Sequence, residues 1–371
     1  MDVNAFLKSC LDRVVSQKGT DLYLKSDAKP YCRVSNQLKC LEGAAALSSE
    51  DMSAIAQHLM KHSRHAEVLE QERSVDLSFV ADGHGRLRAN IFYQQGELSC
   101  VIRIAWKKIP SFEELRIPAV LKKWALADRG LIIISGAASA GKSTTANAMI
   151  DLINENLEKH IITIEDPIEF AHIPKHSFIN QREIGQDAPS FVSALRAAAR
   201  QAPDVVFIGE IRDAETFSSA LQAAEIGRLV VSTLHARNVT HVFERLLSFF
   251  PVEERTRVLM DVSYHLNLIA SQRLIPRQDA KGYVPAFEIL VMTAIVADAV
   301  REQRFDKLVQ IMQNGGADGM QTLNQSLIAL KDQSLISEVE MYRASDKPHE
   351  LSLKMRGFSF GNQDSNKIIG A

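Results

Sequence analysis

The stretch Gly136-Ala137-Ala138-Ser139-Ala140-Gly141-Lys142-Ser143-Thr144 fits the pattern G-x-x-x-x-G-K-[ST] of a phosphate-binding loop. Such a loop joins a buried strand to the start of a helix. The apolar run at residues 131–134 precedes the stretch, and a helix-forming segment follows from residue 145. The flanks therefore agree with the motif and predict a strand, a phosphate loop and a helix in that order.

Each part of this loop has a physical role in holding phosphate. The glycines at both ends let the backbone curl round an anion, so that its N–H groups and the N-terminus of the next helix point at negative charge. The lysine reaches the terminal phosphates, and the serine hydroxyl that follows it can bind Mg²⁺. The sequence therefore predicts a site for ATP or GTP made of Gly136, Ala137, Ala138, Ser139, Ala140, Gly141, Lys142, Ser143 and Thr144.

The composition is that of an ordinary globular protein of two or three domains, with 371 residues, 46% hydrophobic and 24% charged. A formal net charge of −2 offers no general attraction to nucleic acid, so we expect no nucleic-acid partner. The chain shows neither an apolar run of membrane-spanning length nor a secretion signal, so we expect it in the cytoplasm. The cysteines form no C-x-x-C pair and are expected to be small buried residues: Cys10, Cys32, Cys40 and Cys100.

Residues 1–108 predict a small α+β domain built on antiparallel sheet. Residues 4–15 place apolar side chains at helical spacing, and a second helix begins at Ser48 with Asp51 in the capping-box position. Short alternating segments predict the strands 21–24, 31–34, 38–41, 75–79, 87–91 and 98–104.

Alternation within the strand at 87–91 separates two faces. If Leu87, Ala89 and Ile91 face the core, Arg88 lies on the other face, and Arg103 of the next strand projects opposite its apolar neighbours. Exposed arginines on a strand are usually solvated charges. The alternative, which stays open, is that one of them reaches a phosphate on another subunit.

Residues 121–354 predict an α/β domain that follows a linker at 109–120. Strands at 131–134, 161–164, 205–208 and 229–231 alternate with helices that begin near 145, 191, 214 and 238. This order predicts a mostly parallel sheet covered by helices, with ligands at the carboxyl ends of the strands. We expect residues 251–354 to be mainly helical and the polar tail 355–371 to be disordered.

Polar residues follow three of these strands. Glu165 directly follows the strand at 161–164, and Glu210 follows the strand at 205–208 after one glycine. His235 comes after the strand that begins at 229. Hydrolysis of a nucleotide needs a carboxylate that orients water, a carboxylate near Mg²⁺ and a polar group that senses the γ-phosphate. Taken singly, each residue has a structural explanation, but beside a phosphate loop the three fit those roles.

These segments together resemble the secretion-type ring ATPases and, within them, the PilT/PilU family of type IV pilus retraction motors. The resemblance covers nearly the whole chain, and its last part, residues 344–354, resembles the PilU ending more than the PilT one. The matching segments are the phosphate loop, an Asp box at 162–170, residues 181–183, an atypical Walker B segment at 200–204 and 208–213, a His box at 232–236, and residues 271–275 and 319–323.

The resemblance implies a PAS-like N-terminal domain, a RecA-like ATPase domain with a helical C-terminal part, and a homohexamer that binds ATP and Mg²⁺. It implies Lys142 on phosphate, Ser143 and Glu210 on Mg²⁺, Glu165 as the catalytic carboxylate and His235 as the phosphate sensor. Arg88 and Arg103 match the arginines that complete the family's site. The implied partners are a PilT-type retraction ATPase and the platform protein of the inner membrane, at whose cytoplasmic face the protein would work as a peripheral protein.

Three departures from the family pattern bear on the turnover rate. Ser139 replaces a glycine of the phosphate loop, and Arg228 replaces the histidine that is the usual partner in the His box. The helix near 294–302 lacks the family's arginine pattern. A nucleotide-binding subunit with weak or no turnover, working beside an active retraction motor, is therefore the alternative to an ATP-hydrolysing retraction motor.

A pilus-assembly or type II secretion ATPase is a further alternative with the same fold. Those proteins usually carry a four-cysteine zinc insertion, and this chain has no cysteine after Cys100. The direction of force, the choice between a homomeric and a mixed ring, and the arginine that crosses the subunit boundary all stay open.

Overall fold

The computed structural model describes residues 2–34, 37–60, 63–104 and 109–355. The chain forms two compact units. Unit one takes in Met1–Ser111, Ala125–Arg129 and Ala146–Ser232, and unit two takes in Phe112–Trp124, Gly130–Thr145 and Thr233–Ala371. This grouping differs from the domain boundaries expected at 108 and 121, which stay a prediction. The tail expected at 355–371 lies, from residue 356 onward, outside the described residues.

The secondary structure of the described residues alternates strands and helices along most of the chain. The strands are β1 (Asp21–Lys25), β2 (Tyr31–Val34), β3 (Gln37–Cys40), β4 (Ser74–Ala81), β5 (Gly85–Gln94), β6 (Glu97–Ile104), β7 (Gly130–Ser135), β8 (His160–Glu165), β9 (Phe178–Glu183), β10 (Val205–Ile208), β11 (Leu229–Leu234), β12 (Leu266–Pro276) and β13 (Tyr283–Val291). The helices are α1 (Val3–Ser16), α2 (Ser49–Leu59), α3 (Ser63–Glu72), α4 (Ala119–Ala125), α5 (Lys142–Asn156), α6 (Phe191–Ala198), α7 (Ala214–Glu225), α8 (Val239–Ser248), α9 (Val252–His265), α10 (Ala294–Arg301), α11 (Leu308–Asn314), α12 (Leu323–Asp332), α13 (Glu338–Ala344) and α14 (Pro348–Met355).

The N-terminal part of unit one is an antiparallel sheet in the order β3-β2-β1-β6-β5-β4, with α1 and α2 packed into its core. This confirms the predicted α+β architecture. Leu87, Ala89 and Ile91 of β5 are buried, as their alternation predicted. Ser48 caps α2 through the expected capping box with Asp51. Helix α3 was missed, because its sequence is mostly polar, with Ala66, Val68 and Leu69 as its apolar residues.

Three of the four cysteines behave as predicted. Cys10, Cys32 and Cys100 are buried in the core of the N-terminal sheet and its helices, whereas Cys40 on β3 is half-buried. Burial raises the pKa of the Cys10 thiol to about 11 and that of Cys100 to about 12. These thiols therefore stay protonated and pack as small apolar groups at neutral pH.

Unit one continues with parallel strands in the order β11-β10-β8-β9. Every residue of β10 and β11 is buried, as expected for strands of a parallel sheet that is covered on both faces. Strand β9 was not predicted as a strand, since its sequence is polar and only half-buried. Asp213 caps α7 by accepting a hydrogen bond from the backbone N–H of Thr216, as its sequence position indicated.

Unit two contains β7, which pairs with β12 in parallel, and β13, which pairs with β12 in antiparallel fashion. The expectation that residues 251–354 are mainly helical is wrong for β12 and β13, although α9 to α14 supply the rest. The apolar run that opens β12 has no clear period, so periodicity alone could not separate a buried strand from a buried helix. Among the residues that the structure describes, each helix is too short or too polar to cross a membrane.

A buried carboxylate ties β9 to the N-terminal sheet inside unit one. Glu183, the last residue of β9, is 2% exposed. Its oxygens accept hydrogen bonds from the Ser78 hydroxyl (2.7 Å), Arg86 Nη2 (2.5 Å), Gln186 Nε2 (2.9 Å) and the Ile168 backbone N–H (3.1 Å). Because a buried charge is stable only when it is paired and hydrogen-bonded, this cluster fixes β4 and β5 against the end of β9.

We expect Glu183→Gln to lower the free energy of unfolding by about 1–3 kcal/mol, because the amide keeps the shape but loses the charge-assisted bond to Arg86 and turns an NH₂ group toward other donors. Urea unfolding followed by circular dichroism measures the change. The control is Glu215→Gln, which breaks the exposed Arg196–Glu215 pair and should change stability by less than about 0.5 kcal/mol. Equal effects of the two substitutions would contradict the structural role of Glu183.

Candidate functional site

The phosphate loop connects the fully buried strand β7 to α5, which begins at Lys142. Gly136 and Gly141 have positive φ angles of 155° and 85°. A Cβ at Gly136 would lie 2.6 Å from the backbone carbonyl oxygen of Gln272, and one at Gly141 would lie 2.9 Å from Gln272 Nε2. Both glycines are therefore required by backbone conformation and by the close approach of β12.

Ser139 stands where the resemblance expects glycine, and its backbone has a φ of 60°. A residue with a Cβ in this left-handed region carries a cost of about 1–2 kcal/mol that glycine does not. The loop therefore keeps the glycine-type conformation at this position although the side chain opposes it. The replacement of glycine by serine at 139 therefore has a conformational cost.

Lys142 and His235 lie together at the loop. The Lys142 ammonium donates to the carbonyl oxygens of Gly136 (3.1 Å) and Ala137 (2.9 Å), and it lies 3.4 Å from Nδ1 of His235. Because an ammonium can only donate, Nδ1 is the acceptor and a neutral imidazole carries its proton on Nε2. Nε2 is thereby prepared as a donor of the kind that a phosphate oxygen accepts.

Gln272 is a site residue that the sequence interpretation did not single out. Its side chain is buried, and its Oε1 accepts a hydrogen bond from the Thr145 hydroxyl of α5 at 2.7 Å. Beside it, the hydroxyls of Ser135 on β7 and Ser271 on β12 lie 2.5 Å apart. A run of polar residues after the apolar start of β12 was the available signal, but the strand itself had not been recognised.

Glu165 lies at the carboxyl end of β8, as predicted, and is 3% exposed. Its Oε1 accepts hydrogen bonds from the Thr163 hydroxyl at 2.7 Å and from Gln181 Nε2 at 3.1 Å. Thr163 could have been found from the sequence, because residues two apart on a strand share a face. Gln181 could not, since it comes from the unpredicted strand β9.

The environment of Glu165 changes its acidity. Burial raises the pKa of this carboxyl to about 7, the nearby Glu169 carboxylate adds to the rise, and the bonds from Thr163 and Gln181 oppose it. A carboxylate whose pKa lies near neutral pH can accept a proton and release it again. Glu165 therefore has the acidity of a general base.

Glu210 follows β10 and is half-buried, with 19% of its side chain exposed. Arg212 donates from Nε to Glu210 Oε2 at 2.8 Å and from Nη1 to Asp166 Oδ2 at 3.0 Å. Arg212 thus links the segment after β10 to the segment after β8. The sequence interpretation counted Arg212 in a motif but gave it no role.

Arg88 and Arg103 are directly opposite each other on β5 and β6, so they share one face of the N-terminal sheet. Like charges in this position repel unless each has an acidic partner. Arg88 Nη1 donates to Glu169 Oε1 at 3.2 Å, and Arg103 Nε donates to the buried Asp21 at 2.9 Å. The sequence alternation predicted that the two arginines lie on the face opposite the core. It did not predict their acidic partners, Glu169 and Asp21.

Arg228 stands where the resemblance expects the partner histidine of the His box, and it lies at the opposite end of β11 from His235. It precedes β11, whereas His235 follows the same six-residue strand, and a strand of that length separates its two ends by about 20 Å. Arg228 instead lines a cavity of about 300 Å³ with Arg196 and Arg200. Arg228 and His235 thus lie at opposite ends of β11.

The predicted site residues fall into two groups. Unit two holds the phosphate loop, Lys142, Ser143, Thr144 and His235, and unit one holds Glu165, Glu210, Arg88 and Arg103. The assigned roles of these residues stay predictions.

Comparison with known proteins identifies similar chains. Residues 105–351 match a family model described as type II/IV secretion system protein. The chain is 36% identical to the type IV pilus ATPase PilU of Pseudomonas aeruginosa over 92% of this chain and 89% of that protein. It is 37% identical to a twitching motility protein of Neisseria gonorrhoeae over 87% of this chain and 86% of that protein. A crystal structure of the pilus retraction motor PilT with bound ADP matches with a TM-score of 0.86 and 36% identity, over 95% of this chain and 99% of that one.

We expect Ser139→Gly to raise the free energy of unfolding by up to about 1 kcal/mol, because glycine removes the cost of the left-handed conformation. The control is Ala138→Gly. Ala138 has no positive φ, so this substitution only adds entropy to the unfolded chain and should lower stability by about 0.5–1 kcal/mol. Urea unfolding of both variants measures the sign of the change in the free energy of unfolding, which should be positive for Ser139→Gly and negative for Ala138→Gly. A loss of stability in both variants would contradict strain at Ser139.

Proposed function

The chain belongs to the PilT/PilU group of ATPases within the type II/IV secretion system protein family, and from that premise we propose that it drives type IV pilus retraction in the PilU manner. The chain binds nucleotide and is an ATPase of this family, and the function of the group is pilus retraction. Our proposal assigns the steps of ATP hydrolysis to the residues described above.

Lys142 and the backbone N–H groups of residues 136–144 hold the phosphates. The support is the conformation of the loop, the position of Lys142 at the first residue of α5, and the helix N-terminus that follows the loop. Lys142 exchanges its bonds to the Gly136 and Ala137 carbonyl oxygens for the phosphates and keeps Nδ1 of His235 as an acceptor, so that His235 donates from Nε2 to the γ-phosphate. Loss of the γ-phosphate then changes the hydrogen bonding of His235, which makes this residue the sensor of the nucleotide state.

Glu165 orients the attacking water and accepts its proton. The observation that carries the proposal is the buried carboxylate with a pKa of about 7 at the end of β8. Thr163 and Gln181 both donate to one oxygen, Oε1, and so hold the carboxyl group in one orientation. An oriented base near neutral pKa is what in-line attack by water requires.

Mg²⁺ is the metal that we propose, with Ser143 and Glu210 as its protein ligands. A hydroxyl and a carboxylate are the oxygen donors that this hard cation prefers, so the donor set fits. Arg212 fixes the Glu210 carboxylate through Oε2. When bound, Mg²⁺ would neutralise charge on the phosphate oxygens.

Arg88 and Arg103 supply positive charge for the transition state. Arg88 is half-exposed and makes a single long bond to the partly exposed Glu169, so its guanidinium can exchange that partner for a phosphate. Arg103 is 69% exposed at its side chain and is anchored through Nε to Asp21. The fork of donors on each arginine suits bidentate contact with phosphate.

We further propose a homohexamer that acts with a PilT-type retraction ATPase on the platform protein of the inner membrane, at the cytoplasmic face. The resemblance to secretion-type ring ATPases supports the ring. The names of the similar proteins, a pilus ATPase and a twitching motility protein, support the pilus context.

One observation favours a second candidate function, a nucleotide-binding accessory subunit with weak turnover. The left-handed φ of Ser139 places strain in the loop that must wrap the phosphates. Such a loop binds nucleotide but passes through the catalytic cycle slowly. The retraction motor and the accessory subunit would both bind nucleotide, and they would differ in the rate of ATP hydrolysis.

The deciding experiment measures ATP hydrolysis with and without Mg²⁺, together with nucleotide binding, for the unsubstituted protein and for Glu165→Gln. We expect Mg²⁺-dependent hydrolysis that falls by at least about 100-fold in the variant, because the amide cannot accept a proton, while binding persists. The control, Glu158→Gln, alters an exposed glutamate just before β8 and should hydrolyse at the normal rate. Binding without turnover in the unsubstituted protein would establish the accessory subunit, and full turnover in Glu165→Gln would refute the role of Glu165.

A further inference from the structure

One face of helix α5 is polar, because Asn147, Asp151 and Asn154 follow one another at intervals of four and three residues. Residues at these intervals are neighbours on the surface of a helix. Both asparagines are buried, with 0% exposure, and the Asp151 side chain is 19% exposed. Since a buried amide is stable only when it is hydrogen-bonded, this face needs polar partners.

Partners of this face come from the segment 170–176, which lies between β8 and β9 and, like the three residues, belongs to unit one. Asn154 donates from Nδ2 to the Ile173 carbonyl oxygen at 2.8 Å and accepts at Oδ1 from the Lys175 backbone N–H at 2.9 Å. The Lys175 ammonium donates to Asp151 Oδ2 at 2.9 Å. These bonds fasten the end of the segment to α5.

His172 fastens the middle of the same segment to α5. Its ring is buried, with 0% exposure, and Nε2 lies 2.8 Å from Oδ1 of Asn147. Because an amide oxygen can only accept, Nε2 carries the proton and donates. Asn147 comes five residues after Lys142, the first residue of α5, so the bond reaches the early part of the helix that follows the phosphate loop.

The segment also fixes the side chain of Gln181 on β9. Oε1 of Gln181 accepts from the His172 backbone N–H at 2.7 Å, while its Nε2 donates to the Phe170 carbonyl oxygen at 2.9 Å and to Glu165 Oε1 at 3.1 Å. Turning the amide over would set its NH₂ group against the N–H of His172 and its oxygen against two acceptors. Only one orientation of this amide therefore fits the segment, and in that orientation Nε2 faces the Glu165 carboxyl.

We propose that the polar face of α5 positions the Glu165 carboxyl, by way of the segment 170–176 and the Gln181 amide. The proposal rests on the proposed function, since it takes Glu165 as the base in hydrolysis. His172 and Gln181 are positioning residues, because they act on the reaction through Glu165. The helix that follows the phosphate loop thus also sets the direction in which the catalytic carboxyl points.

The bond from Gln181 also affects the ionisation of Glu165. The groups that face this carboxyl are the Thr163 hydroxyl, the Gln181 amide and the Glu169 carboxylate. A donor stabilises the charged form of a carboxyl, so loss of the Gln181 bond should raise the pKa of Glu165. A contact that served only to hold the fold together would leave this pKa unchanged.

The test measures kcat and KM for ATP with Mg²⁺, and the pH dependence of kcat/KM, in His172→Leu, which lacks the donor to Asn147. We expect kcat to fall about tenfold with KM unchanged, because the base is misdirected while the phosphate loop keeps its contacts. The acidic limb of kcat/KM should move to higher pH. His172→Gln keeps an amide donor in place of Nε2 and should restore both quantities. Asn147→Ala breaks the same bond from α5 and should behave as His172→Leu does.

A double-mutant cycle separates positioning from a general loss of stability. Gln181→Leu removes the bond to Glu165 itself, so adding His172→Leu should lower kcat no further. The matched control is Asn180→Ala on the same strand, which removes an exposed amide 3.0 Å from Nε2 of His160 and should leave kcat and the acidic limb unchanged. Losses of kcat that multiply in the double variant, or an acidic limb that stays in place in His172→Leu, would overturn the proposal.

A ¹³C NMR titration of the glutamate carboxyl groups makes the test independent of turnover. The Glu165 signal is the one missing from Glu165→Gln, and its midpoint should be higher in His172→Leu and in Gln181→Leu than in the unsubstituted protein. If the unsubstituted protein hydrolyses no ATP but the midpoint moves, the proposed motor function fails and the positioning of Glu165 stands. A midpoint that His172→Leu leaves in place would refute the positioning, whether or not ATP is hydrolysed.

Discussion

Burial of two carboxylates at the end of one pair of strands is the constraint on which unit one depends. Glu165 and Glu183 are register partners on the parallel strands β8 and β9, and each is at most 3% exposed. Neither could lie there without donors, because a buried unpaired carboxylate is unstable. Glu183 is paired by Arg86 and so fastens the N-terminal sheet, whereas Glu165 has only neutral donors and so titrates near neutral pH. The same type of residue is thus a charged anchor at Glu183 and a group that titrates near neutral pH at Glu165, because the electrostatic surroundings differ.

In unit two the corresponding constraint is the close approach of β12 to the phosphate loop. The backbone and side chain of Gln272 leave no space for a Cβ at Gly136 or Gly141, so both loop ends must be glycine. Ser139 lies between these glycines with a left-handed φ of 60°. A serine is tolerated there at a conformational cost, which explains how the chain keeps the loop while departing from the family pattern.

The phosphate loop, the strand ends and the N-terminal α+β architecture could be predicted from the sequence, because each depends on a local pattern. Glu165 and His235 were found because polar residues directly follow apolar strands. Gln181, Gln272 and Glu169 lie in segments that matched the family, but their contacts with Glu165, Thr145 and Arg88 were not predicted, since the partners of Gln272 and Arg88 are distant in sequence and Gln181 comes from the unpredicted strand β9. Arg228 shows the same limit: a motif gives the order of residues along the chain, and β11 then separates Arg228 from His235 in space.

The central claim is that Glu165 is the group whose ionisation controls hydrolysis, and the pH dependence of kcat/KM for ATP tests it most directly. The rate should fall as the pH drops through about 7, where Glu165 becomes protonated. Thr163→Val removes a hydrogen bond that stabilises the carboxylate, so the pKa should rise and the acidic limb should move to higher pH, whereas Thr163→Ser keeps the hydroxyl and should leave the limb in place. An acidic limb that is the same in the unsubstituted protein and in Thr163→Val would contradict the claim.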